Sequence, residues 1–253
     1  MLSFDRVSFG RGRALIRDLS FDLRAGEILA VMGPNGCGKS TMLAVFAERS
    51  LLLGGTVSLG GRSIGDMSQR EIFSLLALAS QNGIPACPCT VEDYVLAGWY
   101  PRLGLMGVPG RRERDDCRRV MEQIGILQWS SRRADALSGG EFKLVQLARA
   151  MTCGRRLLML DELDSSLDFA NRIRIATLLR RFAAGGGAVL MITHSPEQAR
   201  DTADRILLLS PELPPLEGSP EETLAPEILG RYFGVRIPGT PDPGVPSGTP
   251  GRL

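Results

Sequence analysis

The sequence predicts an α/β fold in which a mainly parallel sheet carries an inserted helical lobe. Three observations lead to it. An apolar run, Ile28 to Met32, enters a glycine-rich turn and then a helical pattern. After Arg156, short apolar runs alternate with helical patterns, as parallel strands joined by crossover helices do. Between these regions, from Val91 to about Arg155, no convincing strand occurs.

Taken in order, the chain opens with strands. Leu2, Phe4 and Val7 start one, and Leu19, Phe21 and Leu23 alternate in another, so an N-terminal antiparallel β region is expected. The run Ile28 to Met32 is a buried strand, and Thr41 to Glu48, with Met42, Leu43, Val45 and Phe46, is a helix. Gly54-Gly55 opens a short strand over Thr56 to Leu59. A helix from about Ser68 leads to a buried strand, Leu75 to Ala79, that ends at Ser80-Gln81. The Pro/Cys/Gly-rich stretch Asn82 to Thr90 marks a boundary. Thr90 is the N-cap of a helix beginning at Val91, and Arg111 to Ile124 and Gly139 to Cys153 are two further helices. These form a lobe over about 88–155, inside one domain of residues 1–237. Leu157 to Leu160 is a strand ending in Asp161-Glu162; a helix, a strand (Ala188 to Thr193), a helix (Pro196 to Thr202) and a strand (Arg205 to Leu209) follow. Glu221 to Phe233 is read as short helices, and the Pro/Gly-rich residues 238–253 as a disordered tail.

Composition narrows the function classes. With 253 residues, 43% of them hydrophobic, the chain can bury a full core without staples. Thirty basic residues against 28 acidic ones leave a net charge of +2, so no polyanion-binding surface and no nucleic-acid partner are expected. Five cysteines are an odd number for a disulfide framework and read as reduced thiols, and Cys87-Pro88-Cys89 lacks a zinc spacing. Met1 to Phe9 alternates instead of forming the apolar block of a signal peptide. No apolar run reaches the ~18 residues of a spanning helix, so a soluble chain is expected, and work at a membrane would need another chain to cross it.

The chemistry is concentrated in four places. Gly33-Pro34-Asn35-Gly36-Cys37-Gly38-Lys39-Ser40-Thr41 fits the phosphate-binding pattern G-x-x-x-x-G-K-[ST], between a strand and a helix as that pattern requires. Its glycines let backbone amides curl around an anion, and the helix N-terminus adds bare N–H groups. Lys39, one of only two lysines, supplies a point charge for β- and γ-phosphates, and the Ser40 hydroxyl a ligand for Mg²⁺. Bare amides and Lys39 beside Cys37 predict a reactive thiolate. Asp161-Glu162 ends a strand, where ligands bind in open α/β sheets. Asp161 can hold Mg²⁺ and Glu162 can polarise a water, although alone the pair also suits a plain surface position. His194, the only histidine, ends another strand, where it can reach a γ-phosphate or simply cap the strand. Leu137-Ser138-Gly139-Gly140-Glu141 opens a helix with Ser138 as N-cap and is a second anion site by the same physics. A second phosphate-binding helix end in a separate lobe makes sense if it serves a neighbouring chain's nucleotide.

These motifs, in this order, resemble the ATP-binding subunits of ATP-binding-cassette (ABC) transporters over about residues 2 to 235. Gly33 to Thr41 resembles the Walker A motif, Leu158 to Glu162 the Walker B, and Leu137 to Glu141 the family signature. Gln81 matches the Q-loop, His194 the H-loop and Ser166-Leu167-Asp168 the D-loop. The resemblance implies a P-loop NTPase (RecA-like) core. It also implies ATP and Mg²⁺ as ligands, catalysis by Glu162, His194 and Gln81, and Mg²⁺ held by Ser40, Gln81 and Asp161. It sets Phe9 under the adenine, and Ser138, Gly139, Gly140, Glu141 and Asp168 on the nucleotide.

Gly98-Trp99-Tyr100-Pro101-Arg102-Leu103-Gly104, Gly218 to Glu222 and Tyr232 to Val235 are similar to importers of iron–siderophores, haem and cobalamin. Such a resemblance implies a head-to-tail homodimer of ATPase subunits on the cytoplasmic face of the cell membrane. It implies a polytopic permease, reached through the cleft near Gln81 and the segment Gly83 to Trp99, and a substrate-binding protein beyond it. An exporter or another cargo class of the same family, and a soluble ABC ATPase in assembly or repair, are the other readings. The chain departs from the family pattern at Leu163-Asp164, where proline and threonine are usual, at Glu141 for the commoner glutamine, and at Ser195 for aspartate.

Overall fold

The computed structural model describes residues 1–79, 88–103, 107–162 and 168–236. Strand β1 (Leu2–Phe9) buries Leu2, Phe4, Val7 and Phe9. The step from Phe4 to Val7 breaks the alternation because a bulge lies there, with Arg6 at φ 47°. β2 (Ile16–Leu23) pairs antiparallel with it, and Phe4 stacks on Phe21 at 4.6 Å. β3 (Ile28–Met32) is buried at every residue. It leads through the glycine turn into α1 (Lys39–Ala44), which starts two residues earlier than expected and does not run on to Glu48.

β4 (Leu52–Leu59) is longer than the expected Thr56–Leu59. Gly54 and Gly55 lie inside it, because a Cβ at Gly55 would come within 2.3 Å of the Arg6 carbonyl at the β1 bulge. β5 (Arg62–Ser63), too short to carry a pattern, completes a four-stranded antiparallel sheet of order β2-β1-β4-β5. α2 (Gln69–Leu75) starts where expected, with a reciprocal cap between Ser68 and Glu71, and β6 (Leu76–Ala79) follows at once.

The lobe region holds α3 (Val91–Leu96), capped by Thr90, then α4 (Tyr100–Leu103), α5 (Arg111–Ile124) and α6 (Gly139–Met151). Among its described residues no strand occurs beyond a single bridge, Thr90 to Arg133. α5 buries Cys117, Val120, Met121 and Ile124, one face at helical spacing. α6 stops before the expected Cys153, which sits at φ 70° in a one-turn kink.

The chain then alternates β7 (Leu157–Asp161), α7 (Phe169–Ala184), β8 (Ala188–Ile192), α8 (Pro196–Thr202) and β9 (Arg205–Leu208). β10 (Leu216–Gly218), α9 (Pro220–Thr223) and α10 (Pro226–Phe233) end the described part. The second sheet has the order β10-β9-β3-β8-β7-β6, parallel except for β10 at its edge. One face, through Ile28, Ala30 and Met32, packs on the helices of the lobe and of the crossovers. The other, through Leu29 and Val31, packs on the antiparallel sheet and α1. Burying each such Val, Leu or Ile contributes about 2 kcal/mol. Among the described residues no helix is long and apolar enough to cross a membrane.

The lobe region is tied to the sheet by a buried cation. Arg155, just before β7, donates from Nε to the Phe73 carbonyl on α2 at 3.2 Å and from Nη2 to the Gly98 carbonyl after α3. Nη1 reaches the Arg149 carbonyl on α6 at 3.4 Å. Burial pulls the guanidinium pKa down from its ordinary value, so these carbonyls are what keep the charge there tolerable. Arg155→Met should leave the Phe73 and Gly98 carbonyls unpaired and lower stability by about 3 kcal/mol, read as a fall in the urea midpoint. An unchanged midpoint would show that these bonds do not hold the helices to the sheet.

Candidate active site

Register brings the chemistry together. β8 lies between β3 and β7, and Val31 and Asp161 both pair with Ile192, so the ends of three strands form one row. The Lys39 loop follows β3, His194 follows β8, and Asp161-Glu162 ends β7. With strands about 4.8 Å apart, the row is roughly 10 Å wide, the scale of a triphosphate.

The phosphate loop is shaped by its glycines. Gly33 sits at φ 153°, and a Cβ there would meet the Leu209 carbonyl at 2.2 Å. Gly38, at φ 108°, is the residue before α1, and the first intrahelical bond is Met42 N–H to the Gly38 carbonyl at 2.9 Å. The amides of Lys39, Ser40 and Thr41 therefore start the helix without intrahelical acceptors and can serve an anion. Lys39 is 5% exposed, and its ammonium donates to the Gly33 and Pro34 carbonyls at 2.8 and 2.9 Å. It is held across its own loop. Asn35, Gly36 and Ser40 are exposed beside it.

On β7, burial first, then the neighbouring Glu162 charge, raise the Asp161 pKa against the hydrogen bond from Ser40 and the charges of Lys39 and His194. Its Oδ1 is buried with no hydrogen-bond partner among the described residues. A buried, orphaned carboxylate oxygen beside a serine hydroxyl fits a hard divalent cation. Glu162 is bent out of the strand at φ 53°, and its N–H donates to the Ile192 carbonyl at 3.1 Å. Its carboxylate Oε1 lies 2.7 Å from His194 Nε2, a contact joining two motifs 32 residues apart that neither motif announces in sequence. Ser195 caps α8, its hydroxyl accepting from Gln198 N–H at 3.2 Å, so this departure keeps the cap an aspartate would supply.

The second anion turn is capped as expected. Ser138 accepts from the Glu141 N–H at 3.3 Å, and Glu141 accepts from the Ser138 N–H at 2.8 Å. The Ser138 amide bond, then the Arg132 side chain at 2.9 Å, hold the Glu141 carboxyl below its ordinary pKa. Ser138 and Gly139 are exposed and Gly140 is half-buried. Among the described residues no hydrogen bond joins this turn to the Lys39 loop. Asp168 caps α7, accepting from Asn171 N–H at 2.7 Å. Gln81, Ser166, Leu167 and the Leu163-Asp164 departure lie outside the described residues.

Two expectations are corrected. Phe9 is fully buried in the core, with its ring edge beneath Gly38, so it supports the loop from below and offers no open face to adenine. Cys37 is 1% exposed, and burial raises its thiol pKa more than Lys39 lowers it, so it is not an activated thiolate. Maleimide should therefore label native protein slowly at Cys37, with Cys89, which is half-buried, reacting first among the described cysteines. Unfolding in urea should release Cys37. Rapid native labelling of Cys37, read by peptide mass spectrometry, would contradict its burial.

The comparisons with known proteins agree with this geometry. The ABC transporter family model matches residues 16–165. The chain is 34% identical over 232 residues to the hemin import ATP-binding protein HmuV of Gloeobacter violaceus, covering 89% of this chain and 84% of that protein. It is 31% identical over 244 residues to the iron(3+)-hydroxamate import ATP-binding protein FhuC of Bacillus subtilis, covering 96% and 91%. Among solved structures it is similar to a chain of a protein described as a metal-chelate type ABC transporter in an inward-facing conformation. The TM-score there is 0.80, the identity 27% and the coverage 92% of this chain and 88% of that one. A nucleotide-free ATP-binding cassette, at TM-score 0.78 and 19% identity, shows the shared fold alone. With a phosphate loop, a buried aspartate and a glutamate–histidine pair on one sheet edge, the chain belongs to the ABC transporter family, has its α/β P-loop NTPase fold, binds ATP and is an ATPase.

Proposed function

We propose that this chain is the ATP-hydrolysing subunit of an importer that takes up a metal chelate, an iron–siderophore first, with haem and cobalamin next. The observation that carries the cargo is the pair of relatives named for hemin and for iron(3+)-hydroxamate import, two cargoes in which an organic ligand holds iron. The juxtaposition of Lys39, Asp161, Glu162 and His194 carries the chemistry.

In this reading the loop amides and Lys39 bind the phosphates, and Lys39 exchanges its carbonyl partners for phosphoryl oxygens. Ser40 and Asp161 hold Mg²⁺, with Gln81 as a further ligand. When bound, Mg²⁺ supplies positive charge against the transferring phosphoryl group. Glu162 accepts the proton of the attacking water, and His194 orients that carboxylate and donates to the γ-phosphate. The exposed Ser138 turn and Asp168 serve the nucleotide of a second copy, so two chains close head to tail around two ATP molecules. A cleft of about 660 Å³ beside β6, lined by Phe73, Tyr94, Tyr100 and Arg149, suits docking of a polytopic permease. The chain then works on the cytoplasmic face of the membrane, with a substrate-binding protein delivering cargo to the permease.

Lys39→Ala should reduce ATP turnover by about a thousandfold while the thermal midpoint stays within a few degrees, because a phosphate contact is lost and the core is untouched. Near-normal turnover would exclude the loop as the site. Glu162→Gln should bind MgATP and hydrolyse it at least about a hundredfold more slowly, accumulating a dimer on size-exclusion chromatography. A monomer with MgATP, in the presence of the membrane partner, would count against the shared site. Deleting the gene should abolish uptake of labelled ferric siderophore. Unchanged uptake of siderophore, haem and cobalamin in a strain without a redundant ATPase would refute the cargo and leave the ATPase standing.

A further inference from the structure

We propose that the cleft between α5 and α7 is a second binding site, for an amphipathic anion: a small apolar body carrying a carboxylate, sulfonate or phosphate group. The cleft, of about 690 Å³, lies at the opposite end of the sheet from the nucleotide loop. Arg156 and Gly187, in its wall, immediately precede β7 and β8, whereas Asp161 ends β7 and His194 follows β8. Five residues of strand separate the two ends by roughly 16 Å.

The lining has two parts. Arg156 and Arg181 bring two guanidinium groups, while Arg155 lines the wall with its own guanidinium turned to the Phe73, Gly98 and Arg149 carbonyls; among the described residues no aspartate or glutamate lines the cleft. Arg180, next along α7, pairs with Asp204, but among the described residues neither Arg156 nor Arg181 has a carboxylate partner. Two cations at one cavity without a carboxylate partner raise its potential and favour an anion. The apolar part is Val120, Leu178 and Phe182. Gly187 makes room for it: a Cβ there would lie 2.2 Å from the Phe182 ring, so only glycine lets that ring lie against the strand entry. Guanidinium groups beside an aromatic ring and aliphatic side chains suit a ligand with an acidic end and a flat apolar end, and suit free inorganic phosphate poorly. Val120 belongs to the helical lobe region and Leu178 and Phe182 to α7 of the core, so one ligand touches both.

Fluorescence titration of the full chain with anilinonaphthalene sulfonate tests the site. One saturable site per chain is expected, retained under saturating MgATP. The double variant Arg156→Ala/Arg181→Ala should bind about tenfold more weakly or worse, since two charge-assisted contacts go. Arg156→Lys/Arg181→Lys should recover much of the affinity, which separates lost charge from altered folding. Equal affinity in the alanine variant, or displacement of the probe by MgATP, would overturn the site. Displacement by inorganic phosphate at comparable concentration would overturn the amphipathic class.

Discussion

Everything at the active site depends on the parallel register of three strands. β3, β8 and β7 are adjacent, and the pairing of Val31 and Asp161 with the same residue, Ile192, levels their ends. A slip of one residue would turn Asp161 to the other face of the sheet and move its carboxylate away from the Lys39 loop. The register is held by burial on both faces: Ile28, Ala30 and Met32 toward the helices, Leu29 and Val31 toward the antiparallel sheet. Such strands cannot slide without exposing or clashing apolar side chains, so the core sets the geometry of the chemistry.

On that frame the site carries groups whose natural partner is a nucleotide. Among the described residues Lys39 is satisfied by carbonyls of its own loop, a loop whose amides face the place a phosphate would take. Asp161 keeps a buried oxygen unpaired among the described residues. Glu162 stands at a backbone angle that a residue with a side chain rarely adopts, and shares a hydrogen bond with His194. Each feature costs folding free energy on the order of 1 kcal/mol or more, and the apolar core on either face offsets them. The same trade recurs at Arg155, a charge buried so that loop and helix carbonyls from three elements share one donor.

Much of the fold was legible in the sequence because its signals are local. Thr90 and Ser138 cap helices as the sequence predicts, and Ser68 and Ser195 do so by the same local hydrogen bond. Buried strands read as apolar runs. The misses are non-local. Gly54 and Gly55 look like the opening of a strand, but a bulge on the neighbouring strand sets their place inside one. β5 and β10 are pairing events too short to leave a pattern. Arg155 is one arginine among many, and no feature of its neighbours marks it as buried.

By itself the sequence determined the longer elements and the chemical identity of the site: the glycine loop with Lys39 and Ser40, the carboxylates after an apolar strand, the lone histidine after another, the serine-capped turn. Those depend on neighbours within one turn or one strand, where propensity and hydrogen bonding act. Tertiary structure alone decided what each side chain can do. It set the Phe9 ring under the loop instead of open to a base, and sealed Cys37 so that burial outweighs the pull of Lys39 on its proton. It joined Glu162 to His194 and left Arg156 and Arg181 at a cleft that, among the described residues, has no carboxylate in its wall. Exposure, desolvation and contacts between distant segments are properties of packing, and packing is not written at any single position of the chain.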